Sequence, residues 1–520
     1  MDPGKARRIA AIALVAGVVA DLLFDGPGPG INVPIFVAAA LAAVWLVRPG
    51  RPIDRLDWWI PPVAVLAASG VAIRADTAVL LLDVTLAAAG VMAWALAVSV
   101  GGLTRRSVAA VATLGVEAGV LVGLGAAAVL GQAAKERPQT MPAGSRRRLL
   151  PVIRGLLIAV PVVAVFALLL GSADAAFAGI LDGLFHLGID VDVLVRRGGV
   201  VAVIAWLTAG GLALAAAAFP AAFVTLVASV EPAPAPGPAG SPGEIPVGEA
   251  DPAPGRPGRT GSTEALTVLV AVEVLFAAFV VVQVAYLFGG FATLTRAGLT
   301  YSEYARAGFF QLVAVVVGAG LLLLVGNALA GGSRAFRPVA VGLVVLSGVI
   351  LVSAAARLGL YQQAYGWTEL RFYVAAAICW LALCLSLALA LVLAARMRWL
   401  LHGAAFAAIG LVLVVTAIGP QGFITRQNLA RAFDPSLVPA GGRPGIDMDY
   451  VTSLDAGAIP DLVAALPRLP SVLQAPILAS LRARREALEG DPFLTGWPAW
   501  NLERIRALDA LRGLPDQPSG

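Results

Sequence analysis

Residues 339–371 read VAVGLVVLSGVILVSAAARLGLYQQAYGWTELR, and this stretch contains the two features that decide the fold. Its first part, residues 339–356, has no charged side chain and is long enough as a helix to cross the hydrocarbon core of a bilayer. Arg357 ends the apolar run, and the polar segment 361–371 follows. The pattern predicts a transmembrane helix that leads into a polar segment outside the membrane.

The composition extends this interpretation to most of the chain. The 520 residues are 59% hydrophobic and 13% charged, with a mean hydropathy of +0.87, which is more apolar residue than a soluble core can bury. We therefore predict an all-α fold, a polytopic transmembrane helix bundle of 11 to 12 spans with a small helical C-terminal soluble domain, embedded in a lipid bilayer.

The net charge of +5 comes almost entirely from arginines in the loops between apolar runs. This distribution is typical of the positive-inside rule and forms no basic stripe, so no nucleic-acid partner is predicted. It places the amino terminus inside. The predicted spans of the first transmembrane half, residues 1–230, are 9–24, 31–47, 58–73, 77–100, 149–171 and 200–230.

Two alternatives remain for residues 107–131: they either span the membrane or form a re-entrant or interfacial element. If they span, the total is twelve and the most basic loop, residues 135–148, lies outside. If they form a re-entrant or interfacial element, the total is eleven and residues 421–520 lie outside. The charge rule favours the second alternative.

Residues 231–262 are rich in Pro and Gly, which predicts a disordered linker. A second transmembrane half follows at residues 263–420, with predicted spans at 264–288, 309–329, 339–356, 372–395 and 398–418. Residues 421–520 are predicted to form a small helical extramembrane domain, with candidate helices at 456–466, 471–489 and 499–512.

Glu273 is a carboxylate within the span 264–288, near mid-depth. A buried membrane carboxylate is costly unless it is protonated or paired. It has either a structural partner, for example Arg154, or a role in proton or ion coupling.

A cluster of charged and aromatic residues is predicted where three spans of the second half reach the outer face. Arg357, Tyr361 and Tyr365 are four apart and share a face if the helix continues beyond the bilayer. The cluster is either a structural ion-pair and aromatic belt or a site for an anionic lipid or small-molecule ligand, because Arg binds phosphate and carboxylate well. We define the outer-face cluster as Glu303, Arg306, Arg357, Tyr361, Tyr365, Glu369 and Arg371.

The chain contains few residues of the types that common catalytic mechanisms require. His186 and His402 are the only histidines, so a histidine-rich metal centre is excluded and a Ser-His-Asp triad has little support. Asp182, His186 and Asp190 are four apart and could hold a divalent cation on one helix face, but Gly183 and Gly188 weaken that helix and the pattern favours a solvated polar face. We predict no catalytic residue and no cofactor.

Four segments carry a resemblance to a known family: VVVQVAYLFGG (280–290), TYSEYARAGFFQLV (300–313), RLGLYQQAYGWTELRFY (357–373) and AWNLERIRALDAL (499–511). In these segments the chain resembles an uncharacterised family of bacterial polytopic membrane proteins, domain of unknown function 4173. The resemblance implies a multi-pass protein of the bacterial plasma membrane. It implies no activity, substrate or catalytic residue.

Two functions follow from these observations. The first is a non-catalytic envelope or signalling-associated membrane protein that contacts a protein partner through its C-terminal domain. The alternative is a transporter or lipid-handling protein that binds an anionic ligand at the outer-face cluster and uses Glu273 for coupling. A membrane enzyme is disfavoured by the scarcity of His and Lys.

Overall fold

The computed structural model describes residues 3–107 apart from 49 and 51, 191–216, 259–288, 309–439, 442, 445 and 447–514 apart from 495, with isolated helical positions between 110 and 129. All regular secondary structure within these residues is helical. In chain order the helices are α1 (Pro3–Phe24), α2 (Asn32–Val47), α3 (Ile60–Ile73), α4 (Thr77–Val100), α5 (Val191–Ala215), α6 (Arg259–Phe288), α7 (Phe309–Ala330), α8 (Phe336–Tyr365), α9 (Glu369–Leu393), α10 (Leu400–Ile418), α11 (Pro420–Phe433), α12 (Met448–Ser453), α13 (Ile459–Ala465), α14 (Ser471–Gly490) and α15 (Leu502–Arg512).

Several of these helices are suited to a membrane. Five helical stretches are long and apolar enough to cross a bilayer: Arg55–Ile73, Thr77–Val100, Phe336–Tyr365, Glu369–Leu393 and Met397–Ile418. Shorter apolar helical stretches occur at Asn32–Val47, Val200–Ala215, Ala265–Ala277 and Val315–Ala330. The protein is thus helical and membrane-embedded. The predicted total of 11 to 12 spans includes residues 149–171, which lie outside the described part of the chain, and it stays a prediction.

The chain divides into two compact units. The first contains Met1–Pro232 and Ala483–Arg512, and the second contains Ala233–Arg482 and Gly513–Gly520. The predicted extramembrane domain at residues 421–520 stays a prediction.

Small residues allow close helix packing in the first unit. A Cβ added to Gly90 of α4 would lie 2.6 Å from the Cβ of Ala64 in α3, and one added to Gly17 of α1 would lie 2.6 Å from the carbonyl oxygen of Val201 in α5. Backbones that approach this closely gain van der Waals contact, which drives helix association in lipid. The Arg197 guanidinium also pairs with the buried Asp21 carboxylate at 2.8 Å, which ties α5 to α1 a second time.

A buried carboxylate organises one end of this unit. Asp57, between α2 and α3, accepts hydrogen bonds from Leu103 N at 3.0 Å and from Thr104 N and Oγ1 at 2.8 and 2.7 Å. The Asp57 side chain therefore joins the loop before α3 to the turn after α4. Both lie at the end opposite to the turns that connect α1 with α2 and α3 with α4.

The C-terminal tail packs on those two turns. Asn501 is almost fully buried, and its Nδ2 donates to the carbonyl oxygens of Val71 and Arg74 at 2.9 and 2.8 Å. These carbonyls end α3 and lack helical partners, so the Asn501 amide caps the helix. Glu503 accepts from Arg74 Nη1 at 2.6 Å and from Ala75 N at 2.8 Å. We call Asn501, Glu503 and Arg504 the tail clamp.

The third member of the tail clamp reaches the other turn. Arg504 donates from Nη2 to the Pro29 carbonyl oxygen, and the Ile31 amide donates to the Trp500 carbonyl oxygen at 3.0 Å. Burial lowers the pKa of the Arg504 guanidinium, and the charge of Asp491 opposes that shift. The α1–α2 turn and the α3–α4 turn therefore lie at the same end of the first unit, as the predicted alternation of spans requires.

In the second unit, α6 packs into α7 and α8 through two contacts one turn apart. Leu269 lies against Gly326 of α7, where an added Cβ would meet its Cδ1 at 2.7 Å. Glu273 lies against Gly342 of α8, where an added Cβ would overlap the carboxylate. Farther along the chain, Trp380 of α9 donates to the carbonyl oxygen of Ala404 in α10 at 3.1 Å. Glycine thus provides the space on α7 and α8 that the side chains of α6 occupy.

Candidate functional site

The polar turn between α8 and α9 is the centre of the candidate site. α8 continues beyond Arg357 to Tyr365, and it ends where Gly366 has φ +81° and ψ −178°, a conformation essentially restricted to glycine. α9 then begins after Thr368, whose hydroxyl accepts from Arg371 N at 3.4 Å. A glycine stop and a threonine N-cap therefore reverse the chain within a few residues.

Arg371 binds the end of α8. Its Nη1 donates to the Tyr365 carbonyl oxygen at 3.2 Å and to that of Gly366, and its guanidinium lies 4.1 Å from the ring centroid of Tyr361. The rings of Tyr361 and Tyr365 are 5.2 Å apart. A cation at a helix C-terminus meets the negative end of the helix dipole and the carbonyls that lack helical partners.

A second arginine reaches the same helix end from α11. Arg431 is buried and donates from Nη2 to the Gln363 carbonyl oxygen at 2.8 Å. Burial lowers the pKa of its guanidinium, and the charge of Arg371 lowers it further. No hydrogen-bond partner for the Arg431 Nε is found among the residues described. The two cations thus bind neighbouring but different carbonyl groups at the end of α8.

Asn428 of α11 holds the turn itself. Its side chain accepts from Trp367 N at 2.8 Å and donates to the Trp367 carbonyl oxygen at 2.8 Å. The Trp367 ring packs edge-on against Phe423 of α11, with centroids 5.3 Å apart. Asn428 therefore satisfies both the amide and the carbonyl of Trp367, which lies between α8 and α9 and has no hydrogen-bond partner within a helix.

Glu369 is held by two further residues. The hydroxyl of Tyr450 in α12 accepts from Glu369 N at 2.7 Å, and the Glu369 carboxylate accepts from Gln421 Nε2 at 2.9 Å. Gln421 also donates to Asp455 at 3.4 Å. We define the turn clamp as Gln421, Asn428, Arg431 and Tyr450.

The sequence-predicted residues are only partly brought together. Tyr361, Tyr365, Glu369 and Arg371 lie in this turn, and Arg357 is half-buried one helical turn before Tyr361. Glu303 and Arg306 fall outside the residues that the structure describes, so their place in the outer-face cluster stays a prediction.

The turn clamp was missed by sequence reasoning. In the structure, α11 covers Pro420–Phe433. The sequence analysis predicts no helix for this polar segment. The signal that could have revealed it is the spacing of Gln421, Thr425, Asn428 and Arg431 along one helix face, after a Gly-Pro pair suited to a helix start. Because the buried face of α11 is polar, the sequence shows no periodic pattern of apolar residues that would indicate a packed helix.

Glu273 lies at the middle of α6, and its depth in the membrane stays a prediction. Its carboxylate packs against Gly342, which is six residues from the start of α8 and so about 9 Å along the axis from the turn containing Arg334 and Arg337. The side chain is half-buried. Among the residues that the structure describes, neither a hydrogen bond nor an ion pair involves this carboxylate. Its proposed partner Arg154 is not one of them.

The metal hypothesis falls outside the described chain. Asp182, His186 and Asp190 all precede the first described residue of α5. Within the described ranges, no group of three or more metal-ligating side chains occurs.

A comparison with family models identifies one match. The family described as Domain of unknown function (DUF4153) matches residues 62–465, which include most of α3, the turn between α8 and α9, and α11 to α13. Its number differs from the 4173 of the predicted resemblance, so that identification is corrected to another uncharacterised family. The segment 499–511 lies beyond the matched residues. No curated protein and no solved structure matches the chain.

Proposed function

The chain belongs to the family described as Domain of unknown function (DUF4153), and we propose that it is a multi-pass, non-catalytic protein of the bacterial plasma membrane whose extramembrane helices bind a protein partner. The observation that carries this proposal is the turn clamp. Hydrogen bonds of 2.7–2.9 Å from α11 and α12 occupy the backbone of Trp367, the amide and carboxylate of Glu369 and the carbonyl of Gln363.

Because the turn clamp already occupies these hydrogen-bonding groups, the turn is better suited to attach the extramembrane helices than to bind a ligand. Arg371 donates to backbone carbonyls and stacks on Tyr361, and Arg431 contributes to the same helix end. An anion would have to displace these contacts before it could use the guanidinium groups. The polar turn is therefore better suited to hold the extramembrane helices in a fixed orientation next to the membrane.

The extramembrane helices have exposed side chains that are available to a partner. Arg426 and Gln427 of α11 are exposed, as are the apolar side chains of Leu437 and Val472. Val472 is 81% exposed at the start of α14, an amphipathic helix. Exposed apolar residues beside charged ones are typical of a surface that a protein covers.

Photo-crosslinking in living cells tests this proposal. A photoreactive residue in place of Val472 is expected to form an adduct of one defined mass, and the substitution Leu437→Arg in the same chain is expected to remove it. The same probe in place of Leu14, an exposed residue of α1, is the control and should yield no such adduct. The proposal is overturned if Val472 yields no adduct or if its pattern equals that of Leu14.

The tail clamp supports an odd number of spans. Asn501 and Arg504 contact the turns at the end of α1 and α3, and the predicted topology puts these turns outside when the amino terminus is inside. A tail on the side opposite to the amino terminus requires an odd count, which is eleven in our prediction. A reporter fused after Gly520 tests it, because activity inside the cell would contradict the outside location.

The alternative function, transport or lipid handling, is favoured by one observation, the carboxylate of Glu273 against Gly342. A carboxylate within an apolar helix bundle is a frequent site of proton coupling. No cation accompanies it in the part of the chain that the structure describes.

Replacing Glu273 by glutamine tests this alternative. The change keeps the shape of the side chain and removes its charge, so the chain should remain folded while proton flux into proteoliposomes falls to the level of empty vesicles. Gly342→Ala, which forces the carboxylate out of its position, should have the same effect on flux, whereas Gly348→Ala in the same helix has open space around it and should not. Equal flux for wild type and Glu273→Gln would contradict a coupling role.

A further inference from the structure

A cavity lies between the start of α1 and the end of α2 in the first unit. Its volume is about 320 Å³. Three of the residues around it are cationic, Lys5, Arg8 and Arg48, and the others are Gly4 and the apolar residues Ile9, Leu46 and Val47. Among the residues that the structure describes here, none that lines the cavity is a carboxylate. The cavity therefore combines a concentration of positive charge with an apolar wall.

The cations are held in different ways. Lys5 Nζ donates to the Ala216 carbonyl oxygen at 3.2 Å, and the Arg48 guanidinium lies 3.4 Å from the ring centroid of Trp45. Trp45 stacks on Trp94 with ring planes 8° apart, which fixes the ring beneath Arg48. Arg8 is exposed and makes no ion pair or hydrogen bond with another residue described. Lys5 and Arg48 fix the position of two positive charges, and the exposed Arg8 side chain can extend toward an anion beside them.

The position of the cavity specifies the kind of anion. α1 begins and α2 ends beside it, so under the predicted topology it lies where two spans reach the membrane surface. The free amides at the start of α1 add positive potential to that of the side chains. Basic pockets between transmembrane helices bind lipid head groups, and Ile9, Leu46 and Val47 offer contact to the glycerol and upper acyl chains.

We propose that this cavity binds the phosphate of an anionic phospholipid. Lys5, Arg8 and Arg48 contact the phosphate, and the apolar wall contacts the lipid backbone. The site is separate from the turn clamp and from Glu273, and it does not depend on the function proposed above. It belongs to the side of the membrane on which the amino terminus lies.

The test uses the full chain in nanodiscs of phosphatidylcholine, with or without added phosphatidylglycerol. Phosphatidylglycerol is expected to raise the thermal unfolding midpoint of the wild type, and native mass spectrometry should detect retained phosphatidylglycerol. Arg8→Gln is expected to weaken lipid retention about fivefold, because one arginine near an anionic head group contributes about this much. Arg55→Gln is the matched control, since Arg55 is exposed in the neighbouring loop and does not line the cavity.

Three outcomes would overturn the proposal. One is an equal loss of lipid retention in Arg8→Gln and Arg55→Gln, which indicates general charge attraction. Another is no difference between wild type and Arg8→Gln in either measurement. The third is equal stabilisation by inorganic phosphate in phosphatidylcholine nanodiscs, which indicates a soluble phosphate compound as the ligand. Arg48→Gln provides a second variant from the other helix, and it should reproduce the loss seen with Arg8→Gln.

Discussion

Replacing Gly366 by alanine is expected to lower the stability of the second unit by about 3 kcal/mol. Gly366 adopts φ +81° at the end of α8, so any side chain there is strained. An added Cβ would also lie 2.5 Å from Arg431 Nη1 and 2.6 Å from Asn428 Oδ1. Both atoms belong to the turn clamp and cannot move without loss of the bonds to Gln363 and Trp367.

The measurement is thermal unfolding in nanodiscs followed by tryptophan fluorescence, which reports on Trp367. Gly359→Ala is the matched control. Gly359 lies within α8 with nothing near enough to meet a Cβ, and alanine is a better helix former than glycine, so this variant should be as stable as the wild type or slightly more stable. If both variants unfold at the same temperature, the turn clamp does not support the second unit.

The sequence predicted the apolar helices well because each one is a local pattern. α4 begins and ends at the predicted residues Thr77 and Val100, and the predicted turns at residues 25–30 and at Gly419 separate helices in the structure. The predicted span ends at Arg357, and the sequence leaves open whether the helix continues beyond it. The helix continues to the first residue that prevents it, Gly366.

The site was less predictable because its contacts join distant parts of the chain. The stretch 361–371 was recognised as polar, but nothing local indicates that Asn428 and Tyr450 satisfy it. The same is true of Asn501, which binds Val71 from 430 positions along the chain. Polar residues that bury themselves against backbone groups leave no periodic apolar signal, so their partners emerge only from the three-dimensional structure.

The partners that the structure gives to the arginines change the interpretation of the outer-face cluster. From the sequence, its arginines and tyrosines favour a structural belt and leave an anion site as the alternative. In the structure, Arg371 and Arg431 lie at a helix C-terminus, where backbone carbonyls supply the negative charge. Within the described part of the chain, Arg8 is an exposed cation that lines a basic cavity, in a region where the sequence suggested only the topology signal.

Asn501→Ala is expected to release the C-terminal tail from the first unit, at a cost of about 3 kcal/mol. The change leaves the carbonyls of Val71 and Arg74 without their donor and the amide of Arg504 without its acceptor. Buried groups that lose a hydrogen-bond partner keep their full cost of desolvation, so the effect exceeds that of an exposed substitution.

Limited trypsin digestion of the full chain in nanodiscs measures the release, because the tail carries Arg504, Arg506 and Arg512. The tail of Asn501→Ala should be cleaved at least tenfold faster than that of the wild type, as 3 kcal/mol corresponds to more than a hundredfold change in the docking equilibrium. Asp509→Ala is the control on the same helix, where the side chain is 67% exposed and its pair with Arg512 is long, at 3.8 Å. Because an exposed pair of this kind contributes little, Asp509→Ala should be cleaved at the wild-type rate. Equal protection of all three proteins would mean that the tail is held by contacts other than those of Asn501.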